Sequence, residues 1–200
     1  GIPLEDVVED RPPLDEVIHP RLRRPRLSGI VQPREEVASR LESMMLSGVR
    51  VVEVGQNLAG PMAGEILAHM GADVIKVERP EGDDARRWGP PFWKDVSPGF
   101  LAVNANKRSI TVDLKDSEAA GWLADLIGDF DVLVQNLRPG ALEELGLGAG
   151  SLTARYPRLV YCNVWAFGSM GPLKLKPGYE PMVQAFSGLM VMNAPEGEPP

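Results

Sequence analysis

Residues 51–80 read VVEVGQNLAGPMAGEILAHMGADVIKVERP, and this stretch decides the fold of the chain. Two short valine-rich runs, residues 51–54 and 74–77, predict β-strands. Between them, Pro61 is typical of a first helical turn and Gly71 of a left-handed helix end. Four apolar residues at helical spacing predict one apolar stripe: Met62, Ile66, Leu67 and Met70. Such a βαβ unit has parallel strands and a right-handed crossover.

The loop at residues 55–60 follows the first predicted strand and precedes the predicted helix. In open α/β sheets, ligands bind in the crevice at this position. Free backbone N–H groups and the positive end of the helix dipole favour an anion there, such as a phosphate or a carboxylate. The alternative is that the glycines only turn the chain between two elements.

The rest of the chain continues this alternation of apolar runs and helical patterns. Further strands are predicted at residues 109–114, 132–134 and 159–164, and helices from Asp116 or Ser117 to about Gly128, at 141–145, after a Ser151 cap, and from Pro181. The irregular segment 81–100 is long enough to suggest a functional loop. Five strands interleaved with helices predict an α/β fold, a Rossmann-like open parallel sheet with flanking helices.

Residues 1–50 form a predicted proline-rich N-terminal extension, distinct from the domain at residues 51–200. Residues 34–46 have the pattern of a short amphipathic helix, which we expect to pack on the domain. The basic cluster at residues 19–26, HPRLRRPR, is either a solvated linker or an anion-binding patch. The solvated linker is the simpler interpretation.

Composition excludes several classes of function. The net charge of −7 argues against a general nucleic-acid binder. No apolar run reaches bilayer length and no signal peptide opens the chain, so we expect no membrane partner. The single cysteine, Cys162, cannot form an internal disulfide, which makes the cytoplasm the expected compartment. His19, His69 and Cys162 do not form a metal-ligand cluster, and no metal site is predicted.

The first loop, residues 55–60, matches neither of two common phosphate-binding motifs. A P-loop requires lysine and a hydroxyl after its second glycine, whereas Pro61 and Met62 follow Gly60 here. The dinucleotide fingerprint G-x-G-x-x-G is also absent, because the glycines are Gly55, Gly60 and Gly64. Glu78, at the end of the second strand, occupies the place of a ribose-binding acid and keeps a nucleotide ligand open.

Four loops are expected to meet at the carboxyl edge of the sheet: residues 55–60, 78–93, 135–140 and 166–180. They bring polar side chains into one region: Arg79, Arg86, Arg87, Asn136, Arg138 and Glu180. Cations concentrated near one crevice of an acidic protein suggest an anionic, phosphate-bearing small ligand. The alternative is that each arginine pairs with a nearby surface carboxylate.

Five segments together resemble family III CoA-transferases, the CaiB/BaiF group, in order and spacing. They are LAGPMAGEILAHMGADVIKVERPEGDDARRWGPPF (58–92), NANKRSITVDLK (104–115), DVLVQNLRPGALEELGLG (131–148), PRLVYCNVWAFGSMGP (157–172) and PGYEPMVQAFSGLM (177–190). The resemblance covers nearly all of residues 51–200 and is more specific than any single motif. Residues 1–50 resemble no family that we can name.

The resemblance implies transfer of CoA from an acyl-CoA thioester to a carboxylic acid through an aspartyl-acyl anhydride. The implied ligands are an acyl-CoA and a carboxylate acceptor, with CoA entering as substrate and no separate cofactor. The implied assembly is an interlocked homodimer. A carboxylate nucleophile divides one difficult step into easier ones, and backbone N–H groups can stabilise the oxyanions that develop.

The resemblance also implies which residues contact CoA and where the nucleophile lies. The implied CoA contacts are Asn57, Leu58, Ala59, Arg79, Val112, Lys115, Asn136 and Leu137. This chain departs from some relatives at Glu144 and Pro177, where they carry basic residues. The nucleophilic aspartate is expected beyond Pro200, with the rest of the large domain and the small domain, and Glu180 is a candidate supporting residue. Asp125, Asp129 and Asp131 are not candidates for the nucleophile.

Three alternative functions stay open. A 2-methylacyl-CoA racemase or epimerase would need a base where this chain has Tyr179, and tyrosine is a poor general base at neutral pH. A non-catalytic CoA-binding or dimerisation fragment is the second alternative. A nucleotide-dependent oxidoreductase comes last, because the glycine fingerprint is absent.

Overall fold

The computed structural model describes residues 44–195 and contains one parallel β-sheet. Its strands are β1 (Arg50–Val54), β2 (Asp73–Glu78), β3 (Arg108–Thr111), β4 (Val132–Gln135) and β5 (Val160–Asn163). The spatial order is β3-β2-β1-β4-β5, and every pairing is parallel. The predicted α/β fold is therefore confirmed. The strand order reverses direction between β1 and β4, and a crevice opens at such a switch point beyond the carboxyl ends of the strands.

Helices connect the strands as the sequence predicts, with shifted ends. They are α1 (Ala59–His69), α2 (Pro98–Ala102), α3 (Ser117–Ile127), α4 (Ala141–Glu144), α5 (Ala149–Arg155), α6 (Glu180–Ser187) and α7 (Leu189–Asn193), with a 3₁₀ turn at Asp84–Arg87. The third strand ends at Thr111, three residues before its predicted end. Ser151 lies inside α5, whose N-cap is Gly148, so the predicted cap is wrong. Its hydroxyl instead donates to the carbonyl oxygens of Gly146 and Gly148, at 2.9 and 3.0 Å.

Helix α1 packs through a different face from the one its apolar residues predict. Met62 and Ile66 are each 49% exposed, whereas the buried residues of the helix are Gly60, Pro61, Gly64 and Ala68. Of the predicted stripe, Leu67 packs against the core, whereas Met62 and Ile66 do not belong to the packing face. Small residues allow the helix to approach the sheet closely, because a Cβ on Gly64 would overlap the Glu53 carboxylate.

The end of α1 at Gly71 confirms the prediction from sequence. Gly71 has a positive φ of 100°, which glycine adopts without steric cost. The N–H of Gly71 donates to the Ala68 carbonyl, and that of Ala72 donates to the Leu67 carbonyl, both at 3.1 Å. This pair of bonds is a Schellman motif, which satisfies carbonyl groups at the end of the helix.

The apolar core lies on both faces of the sheet. Alternate residues of each strand point to opposite faces, so Val52, Ile75 and Leu133 join the larger cluster with α3, while Val51, Val74 and Val134 join the smaller one beside α1. Between residues 44 and 195, no helix is long and apolar enough to cross a membrane. The predicted helix at 34–46 lies almost wholly outside the described residues, as does the basic cluster at 19–26.

Candidate functional site

A cavity of about 580 Å³ opens at the carboxyl edge of the sheet. It lies where the ends of β1, β2, β3 and β4 meet, because parallel strands present their carboxyl ends at the same edge. The lining comes from residues 54–56, 77–83, 87, 112–115, 137–138, 141 and 144–145. Parts of three of the four predicted loops therefore line one cavity, together with the segment after β3. Residues 166–180 are not among the lining residues.

The structure divides the predicted site residues, which are the eight CoA contacts and the candidate supporting residue Glu180, into two groups. Arg79, Val112, Lys115 and Leu137 line the cavity. The second group lies outside the lining. Asn57 precedes α1, and Leu58 and Ala59 are exposed at the start of that helix. Asn136 supports the first loop, and Glu180 is exposed at the start of α6. Of the eight predicted CoA contacts, the cavity therefore brings four together directly. Asn57, Leu58 and Ala59 lie beside its rim, and Asn136 bonds to the loop that precedes them.

The arginines at the rim are held by neighbouring carboxylates and carbonyls. Arg79 forms an ion pair with Asp84 and donates through Nε to the Gly82 carbonyl at 2.9 Å. Arg138 pairs with Glu144 at 2.8 Å, with both side chains 63% exposed. Surface pairing, the alternative to a ligand role, therefore does occur. Because exposed ion pairs contribute only about 0–1 kcal/mol, a phosphate can compete for such arginines.

Arg86 is paired more extensively than Arg79 or Arg138, and it does not line the cavity. Its Nε and Nη2 atoms donate to the two carboxylate oxygens of Glu78, each at 2.7 Å, and its guanidinium lies 4.0 Å from the centre of the Phe100 ring. Glu78 also accepts from the Ser109 hydroxyl at 2.6 Å and from the Asp83 N–H at 3.1 Å. Arg86 is therefore not available as a ligand cation, and Glu78 is not available to a ribose.

The pKa of Glu78 reflects this set of donors. Burial alone would raise the pKa, but the hydrogen bonds from Arg86, Ser109 and Asp83 outweigh burial and lower it to about 2. Because this folded-state pKa lies below the ordinary value of 4.5, the stabilisation is complete above that value and is lost as pH falls towards about 2.

Acid unfolding provides a test of this carboxylate. We expect ionised Glu78 to contribute roughly 2–3 kcal/mol to the free energy of unfolding, lost between about pH 5 and 2. Glu78→Gln cannot ionise, so the difference in stability between wild type and variant should shrink across that window. Urea unfolding of both proteins at several pH values measures this difference. A difference that stays constant with pH would contradict the lowered pKa.

A buried polar network beneath the first loop was missed by the sequence interpretation. Lys76 Nζ donates to Glu53 Oε1 at 2.9 Å, lies 3.0 Å from Asp83 Oδ2, and donates to the Gly55 carbonyl at 2.9 Å. These three charged side chains are at most 2% exposed. The available signal was a charged residue within each valine-rich run, VVEV and VIKV, since central parallel strands usually read as continuous apolar runs.

Lys107 extends this network towards α1 and α2. Its Nζ donates to Glu53 Oε2 at 2.7 Å, to the carbonyl oxygens of Pro61 and Val103 at 2.6 and 2.8 Å, and to Asn104 Oδ1 at 2.9 Å. Burial lowers the pKa of this ammonium, and the neighbouring Glu53 opposes that shift. Lys107 therefore ties the first turn of α1 to the end of α2.

The first loop is held differently from the expectation of free N–H groups. The Gln56 N–H donates to Asn136 Oδ1 and the Gln56 carbonyl accepts from Asn136 Nδ2, both at 2.9 Å. The Asn57 N–H donates to Asp83 Oδ1 at 3.0 Å. These two N–H groups are thus committed to protein side chains. The N–H groups of the first turn of α1 lack intrahelical partners and can bind an anion.

Comparison with known proteins shows which family the chain resembles in sequence. The family described as "CoA-transferase family III" matches residues 46–200. Succinyl-CoA:glutarate CoA-transferase from Mus musculus is 44% identical over 156 residues, covering 77% of this chain and 36% of the relative. Succinate–glutarate CoA-transferase from Agrobacterium fabrum is 44% identical over 162 residues, covering 77% of this chain and 40% of the relative. The chain therefore spans less than half the length of these curated relatives.

A solved structure has a similar fold over most of this chain. The crystal structure of a CAIB/BAIF family protein from Brucella suis aligns with a TM-score of 0.75 and 41% identity, covering 78% of this chain and 43% of that chain. Residues 46–200 are more than half of the sequence, so the family match is not confined to one motif. The chain belongs to CoA-transferase family III.

Proposed function

We propose that this chain contributes the CoA-binding part of an enzyme that transfers CoA from an acyl-CoA thioester to a carboxylic acid. The observation that carries this proposal is the cavity at the sheet edge, combined with membership of the family. Its walls supply apolar contacts from Val54, Val77, Val112 and Leu137, and its rim supplies cations. Apolar walls suit a pantetheine arm, and cations suit phosphate groups.

The bound CoA would extend along the ends of the strands. In this arrangement Arg79 and Lys115 contact the nucleotide end, and Val112 and Leu137 contact apolar parts of the ligand. The start of α1 lies beside the phosphates in this arrangement, where the N–H groups of its first turn, which lack intrahelical partners, favour negative charge. Asn136 acts through Gln56 by holding the loop in place.

The proposed chemistry begins with attack by an aspartate carboxylate on the thioester carbonyl. A bond forms between an aspartate oxygen and the acyl carbon, the C–S bond breaks, and CoA leaves as a thiolate. The thiolate then attacks the aspartyl carbonyl, which releases the donor acid as a carboxylate and leaves an aspartyl-CoA thioester. The acceptor carboxylate displaces CoA from this thioester to form a second anhydride. The CoA thiolate then attacks the acyl carbon of that anhydride, which gives the new acyl-CoA and frees the aspartate. We assign no residue of 44–195 to the nucleophile. In the complete protein we propose an interlocked homodimer that acts in the cytoplasm.

The printed names of two relatives indicate which substrates to test first. Those relatives are named for succinyl-CoA or succinate and for glutarate. We therefore propose short dicarboxylic acids as the first donors and acceptors to test. Assaying a panel of dicarboxylic acid acceptors with one acyl-CoA donor measures which acceptor the enzyme prefers.

Trapping the acyl-enzyme tests the proposed reaction. The complete protein is mixed with succinyl-CoA, separated rapidly from free thioester and treated with hydroxylamine, and its peptides are then examined by mass spectrometry. Transfer chemistry predicts an aspartyl hydroxamate and release of CoA. Deuterium incorporation at the α-carbon of a 2-methylacyl-CoA without hydroxamate would instead indicate the racemase. CoA binding with neither product would indicate a non-catalytic CoA-binding protein.

Replacement of Arg79 tests the ligand position. We expect Arg79→Ala to raise the dissociation constant of CoA by roughly 10-fold or more, because a hydrogen bond to a charged group is lost. Isothermal titration calorimetry measures this constant. Arg155→Ala is a matched control, since Arg155 also pairs with an exposed carboxylate, Asp125, but does not line the cavity. Equal affinity in the two variants would argue against the proposed site.

A further inference from the structure

The buried polar network beneath the first loop, formed by Glu53, Lys76 and Asp83, is not explained by stability alone. Glu53 and Lys76 are register partners on β1 and β2, and Asp83 lies in the loop after β2. Burying such charges costs several kcal/mol of desolvation per ion, and well-packed apolar residues are often equally stabilising or more so. An arrangement of this kind is therefore better explained by what it positions than by its contribution to stability.

The network ends on the backbone of the first loop. Lys76 holds the Gly55 carbonyl, and Asp83 accepts the Asn57 N–H through Oδ1 at 3.0 Å, with Oδ2 also at 3.2 Å. Asn57 has a positive φ of 66°, a conformation that is uncommon for residues other than glycine. Asp83 thus supports an unusual backbone conformation immediately before α1.

Asp83 also fixes the opposite wall of the cavity. Its side chain caps the 3₁₀ turn at Asp84–Arg87 by accepting the Ala85 N–H at 2.9 Å, and its own N–H donates to Glu78. One buried carboxylate therefore joins the loop after β1 to the loop after β2. The Lys76 Nζ atom lies 3.0 Å from Asp83 Oδ2 and holds that carboxylate in place.

We propose that Asp83, held by the buried Lys76–Glu53 pair, is a positioning residue that sets the first loop and the start of α1 for the CoA phosphates. This inference rests on the proposed function, since it assumes that CoA occupies the cavity. Asp83 orders the loop before the ligand arrives, so the cost of ordering it is not taken from the binding free energy. Its removal should therefore weaken binding more than it slows reaction of the bound complex.

Asp83→Asn in the complete protein tests this role. The amide keeps one oxygen for the Ala85 and Asn57 N–H groups, but it loses the charge and places an NH₂ donor opposite the Lys76 ammonium. Lys76 therefore no longer holds the side chain in place. We expect the dissociation constant of CoA and the KM for acyl-CoA to rise roughly 10-fold, while kcat falls less than about 3-fold. Hydrogen–deuterium exchange should become faster in the peptide that contains Gln56 and Asn57.

The control is Asp116→Asn, which makes the same change at another helix cap. Asp116 accepts the Glu118 N–H at 2.9 Å at the start of α3 and does not line the cavity. It should leave CoA affinity and loop exchange unchanged. If Asp83→Asn fails to fold, Asp83→Ser keeps an oxygen for the cap but is too short to reach Asn57 as well, and the same increase in KM is expected.

The outcomes separate this inference from the proposed function. Wild type that binds CoA, with Asp83→Asn matching Asp116→Asn in affinity and exchange, would overturn the positioning role and leave the CoA site standing. Wild type that does not bind CoA would overturn both. A fall in kcat with unchanged KM would also contradict the positioning role, because it would place the effect after binding.

Discussion

Replacement of Lys76 by methionine is expected to destabilise the fold by roughly 3–5 kcal/mol, the cost of breaking a buried ion pair by removing one partner. Methionine can fill the space of the lysine chain, but it leaves the buried Asp83 carboxylate without its ammonium partner and Glu53 with Lys107 alone. It also removes the donor to the Gly55 carbonyl. A group left unsatisfied in this way carries its full desolvation cost.

The midpoint of urea unfolding measures this effect. Lys174→Met is the control, because Lys174 is exposed and the same change there should alter stability by less than about 0.5 kcal/mol. Adding Asp83→Asn to Lys76→Met should recover part of the loss, since it removes the carboxylate that has lost its cation while Glu53 keeps Lys107. The double-mutant cycle gives the coupling energy. A Lys76→Met variant as stable as the control would show that the buried network is not an energetic unit.

Addition of one methyl group at Gly64 is expected to have the second largest effect. A Cβ at this position would overlap Glu53 Oε2, which is held by Lys107 at 2.7 Å. The carboxylate cannot move away without breaking its bonds to the two lysines. The alternative is that α1 lifts from the sheet and loses the contacts of Ala68. We expect Gly64→Ala to cost about 2–4 kcal/mol, at or above the usual range for overpacking.

Gly121→Ala is the matched control for this substitution. Gly121 lies inside α3, is exposed, and has no atom within 4 Å of its added Cβ. Alanine there should stabilise the protein by about 0.4–1 kcal/mol, because glycine has the greater freedom in the unfolded chain. The two substitutions are therefore expected to have opposite signs in the same thermal unfolding assay. A Gly64→Ala variant at least as stable as wild type would mean that α1 does not pack as closely as described.

The fold could be predicted from the sequence where local signals agree with each other. The valine runs, Pro61 and Gly71 mark the first βαβ unit, and each feature reflects a backbone preference that acts locally. The face of α1 could not be predicted in the same way. Its apolar residues suggest that Met62 and Ile66 are buried, but the helix approaches the sheet through two glycines. A Cβ on Gly60 would overlap Asn136, and one on Gly64 would overlap Glu53.

The position of the candidate site in the fold could be predicted from the sequence, but the ion pairs and hydrogen bonds between its side chains could not. Parallel strand order brings the carboxyl-end loops together, so Arg79 and Arg138 could be placed at one edge without coordinates. The resemblance to the family added Lys115 and Leu137. The partners of Arg86 and Asp83 depend on side-chain geometry across three segments of the chain. Sequence spacing does not encode that geometry, so the pattern groups Arg86 with the ligand cations although its guanidinium is bound to Glu78 and does not line the cavity.

Titration with CoA, combined with hydrogen–deuterium exchange, tests the central claim that the cavity at the sheet edge binds a CoA thioester. The complete protein is titrated in parallel with CoA and with NADH, and exchange is then compared with and without each ligand. We predict saturable binding of CoA but not of NADH, with CoA slowing exchange in peptides covering residues 55–60, 78–83 and 112–115. Absence of CoA binding, or protection confined to other parts of the chain, would contradict this claim.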